Sequence, residues 1–339
     1  MNSHTVPQKL LEQFAYYDDL HTKSLRLWRY AKDRKPFPNA SPESATAFDR
    51  HLADPDNPLK EKELETRLAY EIENPVNGFL SQFNDPLFVL PDAQRRQMTL
   101  YLTMLFWRSK ALKNGTKQFL QVTQRASRQF LSNESQFLTV IAKWYIDRLF
   151  SGRPQSLLET RRDIIRTVSR IAKSYQTENN RQKSYVGTIE RWMDEFDDAM
   201  YEGQWECLRT SEDNPFIISD APVVTWERKE DGTLTYGRGV HKPNVEVLLP
   251  VSRLTCLHIL PKVAHNRHIT QPTVREVNLA QAAFAHKHCF ANIKSDQINE
   301  IMQQEFGKAE IGGNVFTVRH IDGNALYESL MTDRPYSRF

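Results

Sequence analysis

Glycine is scarce, at 12 of 339 residues, and the glycine-built signatures are missing. There is no G-x-x-x-x-G-K-[ST], no G-x-G-x-x-G and no G-x-S-x-G. That removes the phosphate-cradling loops of P-loop ATPases and kinases, the Rossmann fingerprint and the nucleophile elbow of common serine hydrolases. H-E-x-x-H and C-x-x-C are also missing, so the usual metalloprotease, zinc-ribbon and thioredoxin-type motifs are excluded. Cysteine is limited to Cys207, Cys256 and Cys289, an odd, scattered set that builds no disulfide framework and suits a reducing compartment. No run approaches about 18 consecutive apolar residues, so no spanning helix is expected. The opening MNSHTVPQKLLEQF lacks the charged-then-apolar pattern of an export signal. A cytoplasmic protein, not associated with membranes, is the expectation.

What is present is ordinary globular material. Hydrophobic residues make up 40% of the chain and charged residues 26%, with a net charge of +3, enough for a core under a very polar surface. Length allows one large domain or two ordinary ones. The absent nucleotide loops predict no obligatory organic cofactor, while a divalent metal held by carboxylates stays open.

The pattern of the chain changes twice. Residues 1–32 read as a short opening unit. Pro7 can start a helix whose apolar face is Leu10, Leu11 and Phe14, and Leu25–Tyr30 alternates apolar and polar as a strand does. Residues 33–59 carry Pro36, Pro38, Pro42, Pro55 and Pro58, and read as a loop. From 60 to 203 the period is helical: Met98, Leu102, Leu105 and Phe106; Phe137, Val140, Ile141 and Trp144; Ile164, Val168, Ile171 and Tyr175; Ile189, Trp192, Met193, Phe196 and Met200. After Gly203 strands dominate, at Trp205–Leu208, Phe216–Ser219, Val223–Trp226, Val245–Leu249 and Leu254–Leu260. Asp231-Gly232 marks a hairpin between the polar-edged runs Val223–Lys229 and Leu234–Gly237. A helix over Val274–Lys287, a strand over His288–Ile293 and a helix over Asp296–Phe306 follow. Strands bunched apart from helices predict an α+β fold. In it the N-terminal strand joins a mixed or antiparallel C-terminal sheet (204–339), around a large central helical region, as one composite domain.

Charge is unevenly spread. Residues 101–175 hold 14 Lys+Arg against 4 Asp+Glu, and residues 186–231 hold 4 against 13. Oppositely charged faces that are simply solvated explain this economically. The sharper reading is a basic helical surface that tracks nucleic-acid phosphates, with Trp107, Trp144 and Tyr145 nearby for stacking, or that meets a protein partner.

Three small constellations carry weak signals. His265 with His268, and His286 with His288 beside Cys289, have spacings a transition metal would accept, but hydrogen-bonded or surface histidine is the simpler reading. Asp220, Glu227 and Lys229 form D-x6-E-x-K, the acidic core of restriction-type nucleases. On one extended strand, however, the two carboxylates would stand roughly 23 Å apart, at ~3.3 Å per residue.

Several segments in order resemble the bacterial family of unknown function numbered 4238. The opening H-x-x-P-Q-x-x-L-x-x-F is met by His4, Pro7, Gln8, Leu10 or Leu11, and Phe14. Leu27-Trp28-Arg29-Tyr30, Ile72-Glu73 with Val76 and Phe79-Leu80, and Leu105-Phe106-Trp107-Arg108 follow. Trp205 precedes the most specific stretch, Pro215-Phe216-Ile217-Ile218-Ser219-Asp220-Ala221-Pro222-Val223, and Leu249-Pro250-Val251-Ser252 and Val277-Asn278 complete the series. The resemblance spans about residues 4 to 293 and implies no established chemistry. Leu10-Leu11, Ser109-Lys110 and Ala221 depart from its usual residues.

The polar residues in these segments define an expectation. His4 sits before any core element, Asp220 closes an apolar strand, and Glu73 and Arg108 lie on neighbouring predicted helices. Converging on one pocket, His4, Glu73, Arg108 and Asp220 would form a catalytic set suited to phosphoester hydrolysis, with or without a metal. The structural alternative has Asp220 capping its turn, Glu73 clamping Arg108, and His4 as a cap or cross-sheet bond. Two classes therefore remain: a hydrolase of nucleic acid or another phosphoester, and a non-catalytic interaction module.

Overall fold

A computed structural model describes residues 2–18, 24–45, 47–49, 52–57, 59–85, 87–110, 112–113, 138–139, 141–142, 145–146, 149, 156–174, 177–194, 198–237, 239–240, 244–262 and 271–309. Two five-stranded sheets carry the architecture. The first has the order β6-β11-β10-β8-β9, built from Gln204–Arg209 (β6), Val224–Arg228 (β8), Leu234–Tyr236 (β9), Glu246–Ser252 (β10) and Thr255–Leu260 (β11). Every pairing in it is antiparallel. Gly232 takes φ +81°, and the Asp231 carboxylate accepts from Thr233 N–H at 2.8 Å, so the Asp-Gly pair turns the β8–β9 hairpin. Pro250 lies in a strand yet removes no ladder bond to β8, because that pairing ends at Leu248↔Val224.

The second sheet draws its strands from both the N-terminal segment and the C-terminal third. Its order is β2-β3-β12-β7, from Tyr16–Asp18 (β2), Ser24–Tyr30 (β3), Ile218–Ser219 (β7) and Cys289–Ala291 (β12), with Phe37–Ala40 (β4) also on β3. β3 thus pairs with β12, in register Tyr30↔Cys289 to Trp28↔Ala291. Strands from residues 24 and 289 meet as the alternating pattern and fold class required. A two-stranded ribbon joins Asn2–His4 (β1) to Ala47–Asp49 (β5).

Between the sheets in sequence come the helices Lys60–Arg67 (α3), a π-helical turn Leu68–Glu73, Asn74–Asn77 (α4), Asp92–Arg108 (α5), Leu157–Ser174 (α6), Glu178–Asp194 (α7) and Asp198–Glu202 (α8). Gln8–Glu12 (α1) and Pro42–Ala45 (α2) precede them, and Val274–Phe284 (α9) and Asp296–Glu305 (α10) follow. One apolar core runs from Leu10, Leu11 and Phe14 through Met98 and Leu102 to Trp226, Leu248 and Val277. A smaller one joins Tyr30, Ile217 and Cys289 to Ile298, Ile301 and Met302 of α10. No described helix is long and apolar enough to cross a membrane.

Three expectations change. The 33–59 stretch carries β4, α2 and β5, because β3 offers a free edge that four extended residues complete. The helix expected to reach Lys287 ends at Phe284, since the next free N–H groups bond a carboxylate elsewhere. Of Phe216–Ser219 only Ile218–Ser219 enters a ladder, for a reason that belongs to the site. Phe137, Val140, Trp144, Tyr175 and Phe196, with most of residues 109–155 of the basic stretch, lie outside the described residues.

Candidate functional site

The segment Pro215–Pro222 is held by a helix acting as a substitute strand. Asn278 and Gln281, three apart on α9, face it with their amides. Asn278 accepts from Ile217 N–H at 2.9 Å and donates to Pro215 O at 3.0 Å. Gln281 accepts from Ser219 N–H at 2.9 Å and donates to Pro222 O at 2.8 Å. Each amide supplies the donor and acceptor a neighbouring strand would give, so four buried backbone groups are satisfied without a ladder. The capping box of Thr273 and Glu276 starts this helix and fixes its register against the segment.

Asp220 returns the favour. Its carboxylate accepts from the backbone N–H of His286 at 2.7 Å, Lys287 at 2.8 Å and His288 at 3.2 Å, while its own N–H donates to His288 O at 3.1 Å. The residue is only 2% exposed. Burial pushes its pKa up to about 6, against the pull of the three N–H bonds and of Lys287. Asp220 is thus the clasp of the turn between α9 and β12.

A second clasp lies at the end of α5. Arg108, 2% exposed, donates to Glu73 at 2.6 Å, with Glu65 at 3.9 Å. Burial opposes its charge, but Glu73 and Glu65 outweigh burial and raise its pKa. Glu73 ends the π-helical turn, where the wider winding resets its direction relative to α3. Tyr185 of α7 donates to Arg108 O at 3.2 Å. The Tyr101 hydroxyl is buried beside this pair and has no hydrogen-bond partner among the described residues. Burial, then the charge of Glu73, holds its pKa well above the ordinary value.

Of the four residues singled out by sequence, the structure joins Glu73 to Arg108 directly. Asp220 belongs to the other clasp, which Lys110, two residues beyond Arg108, approaches closely enough to feel its charge. The His4 backbone lies in β1 opposite Ala47.

What connects the clasps is a set of bases. The β3–β12 register sets Arg29 opposite Phe290, so His288, two residues earlier, lies on the same face of the sheet. His288 has its pKa pushed down to about 4 by burial and then by Arg29, Lys287, Arg34 and His286. Burial, Lys110 and Lys287 lower that of His286, and burial and Lys287 lower that of Lys110. Further along, burial and Lys110 bring Lys113 down to about 8. Cations from β3, from the β3–β4 connection, from the end of α5 and from the 286–288 turn therefore share one neighbourhood. Sequence reasoning missed this face because its members are 29 to 288 in number and no periodicity links them. The signals in sequence were His286 and His288, weighed as metal ligands, and Lys110, one of the basic stretch 101–175.

Among the described residues no three His, Cys, Asp or Glu side chains gather as a metal site. Cys289 is fully buried with its thiol toward Gln281 O, and His265 and His268 lie outside the described residues. Glu227 and Lys229 belong to the β8–β9 hairpin, where Glu227 stands opposite Thr235, so they run away from Asp220 along an extended strand. A buried polar group that sequence did not single out is His258 on β11. Its ring is fully buried between Glu206 at 2.7 Å and Glu246 at 2.8 Å, and Trp226 Nε1 donates to the same Glu246 oxygen. Strand register alone brings these side chains of β6, β11, β10 and β8 together.

A family model described as a protein of unknown function, DUF4238, matches residues 2–295. No curated protein and no solved structure matches.

Proposed function

The chain belongs to the DUF4238 family of proteins of unknown function, and from that premise we propose that it binds phosphate-bearing ligands, nucleic acid above all, on the basic face of Arg29, Arg34, Lys110, His286, Lys287 and His288. The carrying observation is that four separate stretches of chain bring these groups together around a turn that Asp220 holds by three backbone bonds. Gathering like charges costs free energy, and a ligand anion relieves it. Phosphate is the anion that several cations and neutral imidazoles on separate elements fit best, since it presents several acceptor oxygens.

Hydrolysis of a phosphoester is the second reading, favoured by one observation. Burial and the neighbouring cations keep the His288 ring unprotonated, and a bound phosphate anion would raise its basicity toward neutral pH, where the ring can accept a proton from water. In that reading Asp220, Glu73 and Arg108 position the face.

Anisotropy titrations of labelled oligonucleotides over a salt series test the proposal. Binding that weakens with salt is expected, and Arg34→Glu with Lys287→Glu should reduce the log–log slope by about 0.7 per lost phosphate contact on a single strand. Absence of binding at low salt, or an unchanged slope in the double variant, refutes it. Cleavage of the same oligonucleotides that is lost in His288→Gln supports the hydrolase reading, and intact strands after long incubation remove it.

A further inference from the structure

We infer that the basic face takes single-stranded nucleic acid, with Phe37 as the platform on which one base stacks. This rests on the phosphate reading above and names its ligand class. Phe37 is 54% exposed at the start of β4, a strand that pairs with β3 alone among the described residues. Burial therefore does not account for an aromatic residue here. Pro36 and Pro38 flank it, fixing backbone φ on both sides and removing two N–H donors, so the edge is closed to another strand. The Arg29 guanidinium lies 5.1 Å from the ring centroid, a cation–π contact that ties the ring to the basic face, since Arg29 also acts on His288.

The connection between β3 and β4 adds charge in a fixed shape. Lys32, Arg34 and Lys35 are all exposed, and Asp33 between them takes φ +56°. With its amide turned to suit, Gln303 of α10 bonds both the Asp33 carboxylate at 3.2 Å and the Asp33 N–H at 3.3 Å, which anchors the tip to the scaffold. An exposed ring beside cations on rigid supports is the arrangement that binds single strands, whose bases offer free π-faces. In a duplex those faces are stacked on each other, and a protruding ring gains nothing.

The test uses the full chain with three probes: a labelled oligo-dT 20-mer, a duplex of the same length and inorganic polyphosphate. Phe37→Ala, an exposed change, should weaken oligo-dT binding about 5-fold or more and leave polyphosphate binding unchanged, while Phe37→Trp should restore it. The single strand should also bind more tightly than the duplex. An unchanged oligo-dT affinity in Phe37→Ala, or tighter duplex binding, overturns this inference while the phosphate reading stands. If none of the three probes binds at low salt, both fall together.

Discussion

Asp220 offers a measurement whose sign follows from its surroundings. Its carboxylate is enclosed and accepts three N–H bonds, yet its pKa stands at about 6 rather than the ordinary 3.8. Burial outweighs the bonds. The folded protein therefore holds this proton more tightly than the unfolded chain does, and the group's contribution to stability is fully present below pH 4 and is lost as pH rises through about 6. The whole effect is about 3 kcal/mol, at ~1.4 kcal/mol per pKa unit, of which about 2 kcal/mol falls between pH 4 and pH 7. Asp220→Asn cannot titrate. It keeps one acceptor oxygen, and its amide NH2 meets the N–H groups that the other oxygen served, so it carries some cost at every pH. Whatever that cost is at pH 4, the difference between variant and parent should move in the variant's favour by about 2 kcal/mol by pH 7. Urea unfolding of both proteins at half-unit steps across that range reads it, because every other titrating group cancels in the difference. A gap that stays constant, or that widens against the variant with rising pH, would show that the N–H bonds win over burial and would refute the reasoning.

The second clasp gives two further expectations. Glu73→Ala leaves the buried Arg108 guanidinium with Glu65 at 3.9 Å and should cost about 3 kcal/mol in urea unfolding at pH 7; a loss under about 1 kcal/mol means the pair is not structural. Tyr101→Phe removes a buried hydroxyl that lacks a partner among the described residues and should be neutral or stabilising by about 1 kcal/mol. A thermal melt showing clear destabilisation would mean that the hydroxyl is bonded after all.

The motifs that carry the family resemblance owe much of their form to packing. Pro215–Pro222 and Asn278 belong together because side-chain amides replace a missing strand, and Asp220 answers by holding the turn that follows the same helix. Trp205 donates its indole N–H to Met200 O at 2.8 Å, closing the passage from α8 into β6. Ser252 donates to Asn84 at 2.6 Å and fixes the first sheet to the helical region. The Asn278, Asp220 and Ser252 contacts join segments that are distant in sequence, so Asp220 looked solitary in the chain and could be taken for chemistry.

Local pattern determined a good deal by itself. Alternation placed β3, apolar spacing placed α5 and α7, Asp231-Gly232 placed a hairpin, and the bunching of strands set the α+β class. These are properties of neighbours along the chain, where a period of two or of 3.6 residues is written directly. Strand pairing across more than 250 residues was legible only as a class, because register depends on which edge remains open. The basic face was decided by tertiary structure alone. Arg29, Arg34, Lys110, His286, Lys287 and His288 acquire a shared electrostatic environment only when β3 lies beside β12 and the end of α5 reaches the Asp220 turn. Charge acts through space, and nothing in the linear order says which distant cations will end up within reach of each other.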